Sequence, residues 1–534
     1  MELVRHQEEF LKRRAHDAGR FDGLIFFYAA LRRLDAVHGS HDAMDPANDH
    51  DRLVYDLVLL DENPGLAGSI LERLANLPDP WVCYSLTKFH LRAGNVSDAL
   101  RVAEVALGSP QPDASAVNLV IKYLAQQGEQ ALRSDLIERS LAANSTQQDV
   151  GRLKEEPFTQ ALYLDPLPKH EPLDFYLPVY NVEQYVRAAI EGLLLQTYPL
   201  HRILVIDDGS RDHSIAIARE YPVQIIEHSE NKGLAAARNT AFQHSTADFV
   251  GAIDTDASPD PNYSRNVMME FENAGPNVAG VGGKLIETNT ATPADKWRAL
   301  RMAQHHGDCR VHPPSILYGS NNILRRSAVL AVGGYDETFR TNSEDVHLCW
   351  SLRDAGFSYV YTPRAVAYHA RKDTLASVLA TAWNWHYWAK VENDVYDSHK
   401  GMVDMMYNAL NKCVKEMNRF MEAVELDALY VEFLFVFYDI FRDLLHVREK
   451  GLYEAGHVRY VQDRMLEPVA RLDARLGGGL CDKLRTDLAG LLVDASCDAD
   501  RIEPAFKEEL EGFFAEVGRL CDSCSPELYD VLAA

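Results

Sequence analysis

Polar and apolar positions along this chain change period twice. Up to about residue 150 the apolar residues recur at helical spacing. Between 173 and about 375, short β-branched and aromatic runs alternate with amphipathic stretches. Residues 175–181 read as a strand, 182–197 as a helix, 203–210 as a strand and its exit turn. A helix over 214–221, a strand over 223–227, an apolar run over 248–253 and an amphipathic stretch over 346–355 follow. This alternation predicts βαβ units and a mostly parallel sheet. After His369 the pattern is helical again, and Gly477-Gly478-Gly479 splits the C-terminal region into two helical groups.

In such sheets ligands sit beyond the carboxyl ends of the strands. Asn181, Asp207, Asp208 and Asp254 all fall at predicted strand exits. The run before Ile253 ends in Asp254-Thr255-Asp256. Two carboxylates one residue apart can hold a hard divalent cation, which takes oxygen ligands and bridges phosphates. Alone, such a pair is more often a solvated turn; the polar residues at the neighbouring exits make it a candidate site.

Several segments carry a resemblance. They are Pro178-Val179-Tyr180-Asn181, Gln196-Thr197-Tyr198-Pro199, Asp207-Asp208-Gly209-Ser210 and Asn231-Lys232-Gly233-Leu234-Ala235-Ala236-Ala237-Arg238-Asn239. Asp254-Thr255-Asp256, Gly333-Gly334-Tyr335-Asp336-Glu337 and Ser343-Glu344-Asp345-Val346 continue the series. In order and spacing they resemble the catalytic domain of glycosyltransferase family 2, with its GT-A fold, a Rossmann-like mixed sheet. The resemblance implies sugar transfer from a nucleoside diphosphate to a hydroxyl, with inversion at the anomeric carbon. It implies Asp256 as direct ligand of Mn²⁺ or Mg²⁺, with Asp254 on the ribose or a metal-bound water and His369 completing the shell or touching the diphosphate. Asp345 would be the general base; the bland alternative is that Glu344 and Asp345 cap a helix. Tyr180 and Asp208 would clamp the nucleobase, in a pocket shaped by Pro178. A carboxylate there favours the imide N–H of uracil, hence UDP. Asp207 reads as more structural. Lys232 and Arg238 would lie near the donor, balancing phosphate or pairing Asp207. Arg371 and Lys372 could reach the diphosphate, and Gly319-Ser320-Asn321-Asn322 would line the acceptor side. Trp383, Trp385 and Trp388 fit core packing better than sugar stacking. The Gln-x-x-Arg-Trp signature of processive synthases is absent there, which speaks against polymer extrusion.

Length and charge narrow the rest. At 534 residues the chain calls for two or three domains. The expected division is an N-terminal helical domain (1–152), a linker with four prolines (153–172), the catalytic domain (173–395) and a C-terminal helical domain (396–534). A net charge of −25 argues against nucleic acid as partner. Among the eight cysteines, Cys521 and Cys524 form a pair without a second, so zinc is not expected. Residues 428–447 are apolar but contain Glu432, Asp439, Arg442 and Asp443, which a bilayer would penalise. The expectation is a cytoplasmic protein without transmembrane segments, at most peripheral to the inner membrane face. In the N-terminal region Phe89, Gly94, Ala106 and Pro110 are followed at one constant offset by Tyr123, Gly128, Ser140 and Asn144. That spacing resembles tetratricopeptide helix pairs, which could hold a protein partner, and equally an ordinary bundle. The acceptor is left open between a glycan, a protein and a lipid-linked sugar.

Two rivals stand beside the transferase reading. One is a scaffold that has lost activity, against which Asp254, Asp256 and Asp345 speak. The other is a nucleotidyltransferase, which would want a Gly-rich, basic loop after the first strand; here that loop is Tyr180-Asn181-Val182-Glu183.

Overall fold

The computed structural model describes residues 2–45, 47–109, 114–143, 170–339, 342–392, 426–449 and 486–487. The expected linker, Cys521-Cys524, Gly477-Gly478-Gly479 and most of the expected C-terminal domain lie outside these residues. Two compact units emerge. One comprises residues 1–286 and 304–370, the other 287–303 and 371–534.

The first unit contains the sheet. Its strands are β1 (Leu173–Val179), β2 (Arg202–Asp207), β3 (Gln224–Glu227), β4 (Phe249–Ile253), β5 (Ala257–Pro259), β6 (Val278–Glu287), β7 (Asn321–Arg325) and β8 (Ser358–His369). They form one eight-stranded sheet in the order β3-β2-β1-β4-β7-β6-β8-β5. Strands β3, β2, β1 and β4 run parallel, whereas β7 is antiparallel to β4 and β6, and β5 is antiparallel to β8. The sheet is therefore mixed, as the resemblance implies. The helices Val186–Leu194, Ser214–Ala218 and Leu234–His244 supply the crossovers of the parallel half.

Strand β1 shows why this half forms. Phe175, Leu177 and Val179 enter one apolar layer and Tyr176 the other, so both faces are buried. The buried Asp174 interrupts the apolar pattern, but accepts from His201 Nδ1, Arg202 Nη2 and Ser245 Oγ, each at 2.8 Å. Gly251 lets β4 run beside Phe175, whose ring a Cβ there would meet at 2.4 Å.

The N-terminal helices belong to this same unit. Pro80–Arg92 with Val96–Leu107, and Ala114–Gln127 with Gln130–Ala143, are consecutive helices. The turns inside both pairs contain a left-handed glycine, Gly94 (φ +72°) and Gly128 (φ +77°). Those are the glycines of the repeated spacing. The helices are anchored to the loop before β2 and to the helix Tyr263–Asn273 by buried polar groups. Gln7 accepts from the N–H of Leu200 at 3.0 Å. Lys88, fully buried, holds Glu272 at 2.7 Å, and the Arg265 guanidinium lies 3.8 Å over the Phe26 ring.

In the second unit, Pro293–Arg301, Leu375–Glu392 and Leu426–Glu449 are helices. The carboxylates of Glu432, Asp439 and Asp443 find partners inside it. Lys390 reaches Asp439 at 2.8 Å and Asp443 at 2.6 Å, and Trp297 Nε1 donates to Glu432 at 2.7 Å. Among the described residues no helix is long and apolar enough to cross a membrane. Trp383 is buried with its indole N–H on Asp443 at 2.8 Å, a packing role rather than a sugar platform. Arg371 donates to Asp373 and Thr381 of this unit.

Candidate active site

Four chain segments meet at the carboxyl ends of the parallel strands. After β4, the N–H of Asp254 donates to the Ser320 carbonyl at 2.9 Å, and the N–H of Ala257 closes the turn onto Asp254 O at 2.9 Å. Thr255 Oγ1 donates to the Pro178 carbonyl at 2.6 Å, which ties this turn to the end of β1. The chain then enters β5, where Ala257 lies opposite His369 of β8. This pairing sets His369 Nε2 3.2 Å from Asp256 Oδ2.

Of the three expected metal ligands, Asp256 and His369 are thus together, while Asp254 Oδ1 is taken by Arg238 at 3.2 Å. A carboxylate beside an imidazole, with a second carboxylate close by in sequence, offers oxygen and nitrogen ligands of the kinds that divalent cations take. A different group, Asp22, His50 and Asp51, brings its potential ligand atoms within 4.8 Å of one another. There Asp51 already accepts from the N–H groups of Phe21 (2.8 Å) and Asp22 (3.1 Å), as a cap.

Asp254 faces Arg238. This guanidinium, 1 % exposed, sits among four acceptors: Asp254 Oδ1 and Glu344 Oε1 at 3.2 Å, Tyr176 Oη at 3.0 Å and Gly319 O at 2.9 Å. Burial alone would weaken its charge, and Tyr176, Asp254 and Glu344 outweigh that. Burial pushes the Asp254 carboxyl up, Arg238 opposes this, and Asp256 adds to it. Glu344 is 2 % exposed, and its carboxyl is pushed up to about 7, first by burial and then by Asp345, against Arg238.

Asp345 follows at the start of the helix Glu344–Asp354. Its Oδ2 accepts from Gly319 N–H and its Oδ1 from Val346 N–H, both at 2.8 Å. The chain enters this helix through two consecutive left-handed residues, Asn342 (φ 63°) and Ser343 (φ 68°). Neither is glycine, so the turn costs roughly 1–2 kcal/mol per residue. The backbone that presents Glu344 and Asp345 is held under strain.

On the donor side, Tyr180 is 48 % exposed at the end of β1. Asn181 adopts φ 54° and accepts from Arg211 N–H at 2.8 Å, binding the β1 exit to the loop after β2. Asp207 accepts from Ser210 N–H at 3.0 Å. Asp208 is buried and accepts from His228 Nδ1 (2.7 Å) and from the N–H groups of Lys232 and Gly233 (2.8 Å each). A nucleobase N–H would compete with three donors already in place there. Lys232 is exposed. Arg238 pairs Asp254 and Glu344, not Asp207.

The sequence did not single out Tyr176 or His228, nor Glu344 as a partner of Arg238. Tyr176 looks like any apolar strand residue, and Glu344 lies 106 residues from its arginine. No local signal points to either.

Residues 174–333 match the family described as glycosyl transferase family 2. A pre-mycofactocin glycosyltransferase of Mycobacterium tuberculosis is 29 % identical over 222 residues, covering 40 % of this chain and 46 % of that protein. A poly-β-1,6-N-acetyl-D-glucosamine synthase of Staphylococcus epidermidis is 24 % identical over 244 residues, covering 44 % and 58 %. The chain spans about half the length of these curated relatives. Among solved structures, a mannosyltransferase of Pyrobaculum calidifontis in complex with GDP-Man and Mn²⁺ aligns at TM-score 0.34 and 16 % identity, over 76 % of this chain and 99 % of that one. Sequence motifs, sheet topology and family match converge on one segment: the chain carries a glycosyl transferase family 2 domain over residues 174–333.

Proposed function

We propose that this chain transfers a sugar from a nucleoside-diphosphate donor to a hydroxyl, in a single displacement that inverts the anomeric centre. The observation that supports it most is Asp345. Its carboxylate is fixed by two backbone N–H groups at a helix start, close enough to Asp254 for its charge to push that carboxyl up. Each oxygen accepts one N–H and keeps a further lone pair.

In this reading the acceptor hydroxyl attacks the anomeric carbon while the bond to the diphosphate breaks. The hydroxyl proton passes to Asp345, and the bonding electrons leave with the diphosphate. Tyr180 stacks on the base and Pro178 shapes its pocket. Asp207, with one described donor, is more open to a base N–H than Asp208, with three. UDP remains the expected donor nucleotide. Lys232, exposed nearby, can balance phosphate charge. Mn²⁺ held by Asp256 and His369, with Asp254 beside them, would act as a Lewis acid on the leaving diphosphate.

Labelled-donor analysis tests the reaction class. Purified chain with Mn²⁺ and UDP-glucose, UDP-N-acetylglucosamine or GDP-mannose should release nucleoside diphosphate; pyrophosphate release would instead indicate nucleotidyl transfer. Asp345→Asn should keep nucleoside-diphosphate affinity and lower turnover by about 100- to 10,000-fold, the usual worth of a general base. Full turnover in that variant would remove Asp345 from the mechanism.

A further inference from the structure

We propose that Arg238 is a positioning residue for the transfer step, holding the base Asp345 in register with the carboxylate after β4. This rests on the reading of Asp345 as base. Arg238 was an obvious candidate for neutralising a phosphate, but its guanidinium is 1 % exposed and turned to protein acceptors. Those acceptors come from the separate segments that build the site: Tyr176 in β1, Asp254 after β4, Gly319 before β7 and Glu344 at the start of the base helix.

Gly319 is the link to the base. Its carbonyl accepts from Arg238 Nη1 at 2.9 Å, and its N–H donates to Asp345 Oδ2 at 2.8 Å. The next carbonyl, that of Ser320, accepts from Asp254 N–H at 2.9 Å. Two adjacent loop residues therefore set the spacing between Asp254 and Asp345, and Arg238 clamps them. No side chain fits between. A Cβ on Gly319 would lie 2.7 Å from Arg238 Nη2 and 3.3 Å from Asp345 Cβ. The arginine also grips Glu344 beside the strained Asn342-Ser343 turn, so the helix start is restrained from both sides. A lysine has one point charge and cannot serve Nε, Nη1 and Nη2 positions together.

The test is a double-mutant cycle on Mn²⁺-dependent nucleoside-diphosphate release, using whichever of UDP-glucose, UDP-N-acetylglucosamine and GDP-mannose is hydrolysed fastest. Arg238→Lys should lower kcat on the order of 100-fold, the cost of a small misplacement of a reacting group. In the Asp345→Asn background the same change should cost less than about twofold, because the group it positions is gone. Tyr176→Phe, which removes one acceptor and keeps the ring, should show a smaller loss with the same dependence on Asp345. It serves if Arg238→Lys does not fold. Equal losses in both backgrounds, or an unchanged kcat, would overturn the proposal. So would a loss confined to UDP or GDP affinity, which is the signature of a phosphate ligand. A wild-type chain that releases no nucleoside diphosphate would instead count against the transferase reading itself.

Discussion

Replacing Glu344 by glutamine isolates the charge buried beside the candidate base. Glu344 is 2 % exposed, and one of its oxygens, Oε2, is buried with no hydrogen-bond partner among the described residues. The other accepts from Arg238 Nε at 3.2 Å. Burial, then Asp345, moves the carboxyl from an ordinary 4.5 to about 7, with Arg238 pulling the other way. The folded state thus holds the proton more tightly than the unfolded chain does. Stability from this group is fully present below pH 4.5 and is lost as pH rises through about 7. At 1.36 kcal/mol per tenfold in proton affinity, and with Asp345 sharing the effect, the loss is on the order of 1–3 kcal/mol. Glutamine carries no titrating charge and can still accept from Arg238 through its amide oxygen. Thermal unfolding of both proteins at pH 5 and pH 8 checks this. The wild type should lose a few degrees more than Glu344→Gln between the two pH values. Parallel pH dependence in the two proteins would mean that Glu344 is ionised without cost, and the assigned burial effect would be refuted.

Other outcomes follow from single contacts. Asp256→Asn removes the carboxylate charge 3.2 Å from His369; calorimetric titration with UDP should lose its Mn²⁺ dependence, as should the wild type after chelation, and an unchanged titration would exclude Asp256 as a ligand. Lys88→Met breaks the ion pair between the fully buried Lys88 and the partly buried Glu272 at 2.7 Å. It should cost about 3 kcal/mol in denaturant unfolding, less where water reaches the glutamate, and a change within experimental error would show the pair to be neutral.

The strands and helices of the parallel half were legible because they depend on local pattern. Predicted 203–210 overlaps β2 and takes in its turn, predicted 223–227 contains β3, and the helix expected from 346 begins at Glu344. The antiparallel half was not. Strands β6 and β7 take meaning only from their partners across the sheet, since Asn321 and Asn322 do not read as strand residues until they lie opposite Ile253 and Ala252. Asp208 shows the same limit. Its motif announces a carboxylate at a strand exit, but not that His228 and two backbone N–H groups would claim it.

By itself the sequence determined where the acidic side chains fall. Hydrophobic periodicity fixes the strands, strand ends fix the exits, and Asp207, Asp208, Asp254 and Asp256 stand at them. Tertiary structure decided what each charge touches. Arg238 could have served phosphate, Asp207 or solvent, and the fold gave it Asp254, Glu344, Tyr176 and Gly319. Partner choice for a long flexible cation depends on burial and on distances between segments far apart in the chain, and one-dimensional spacing carries neither.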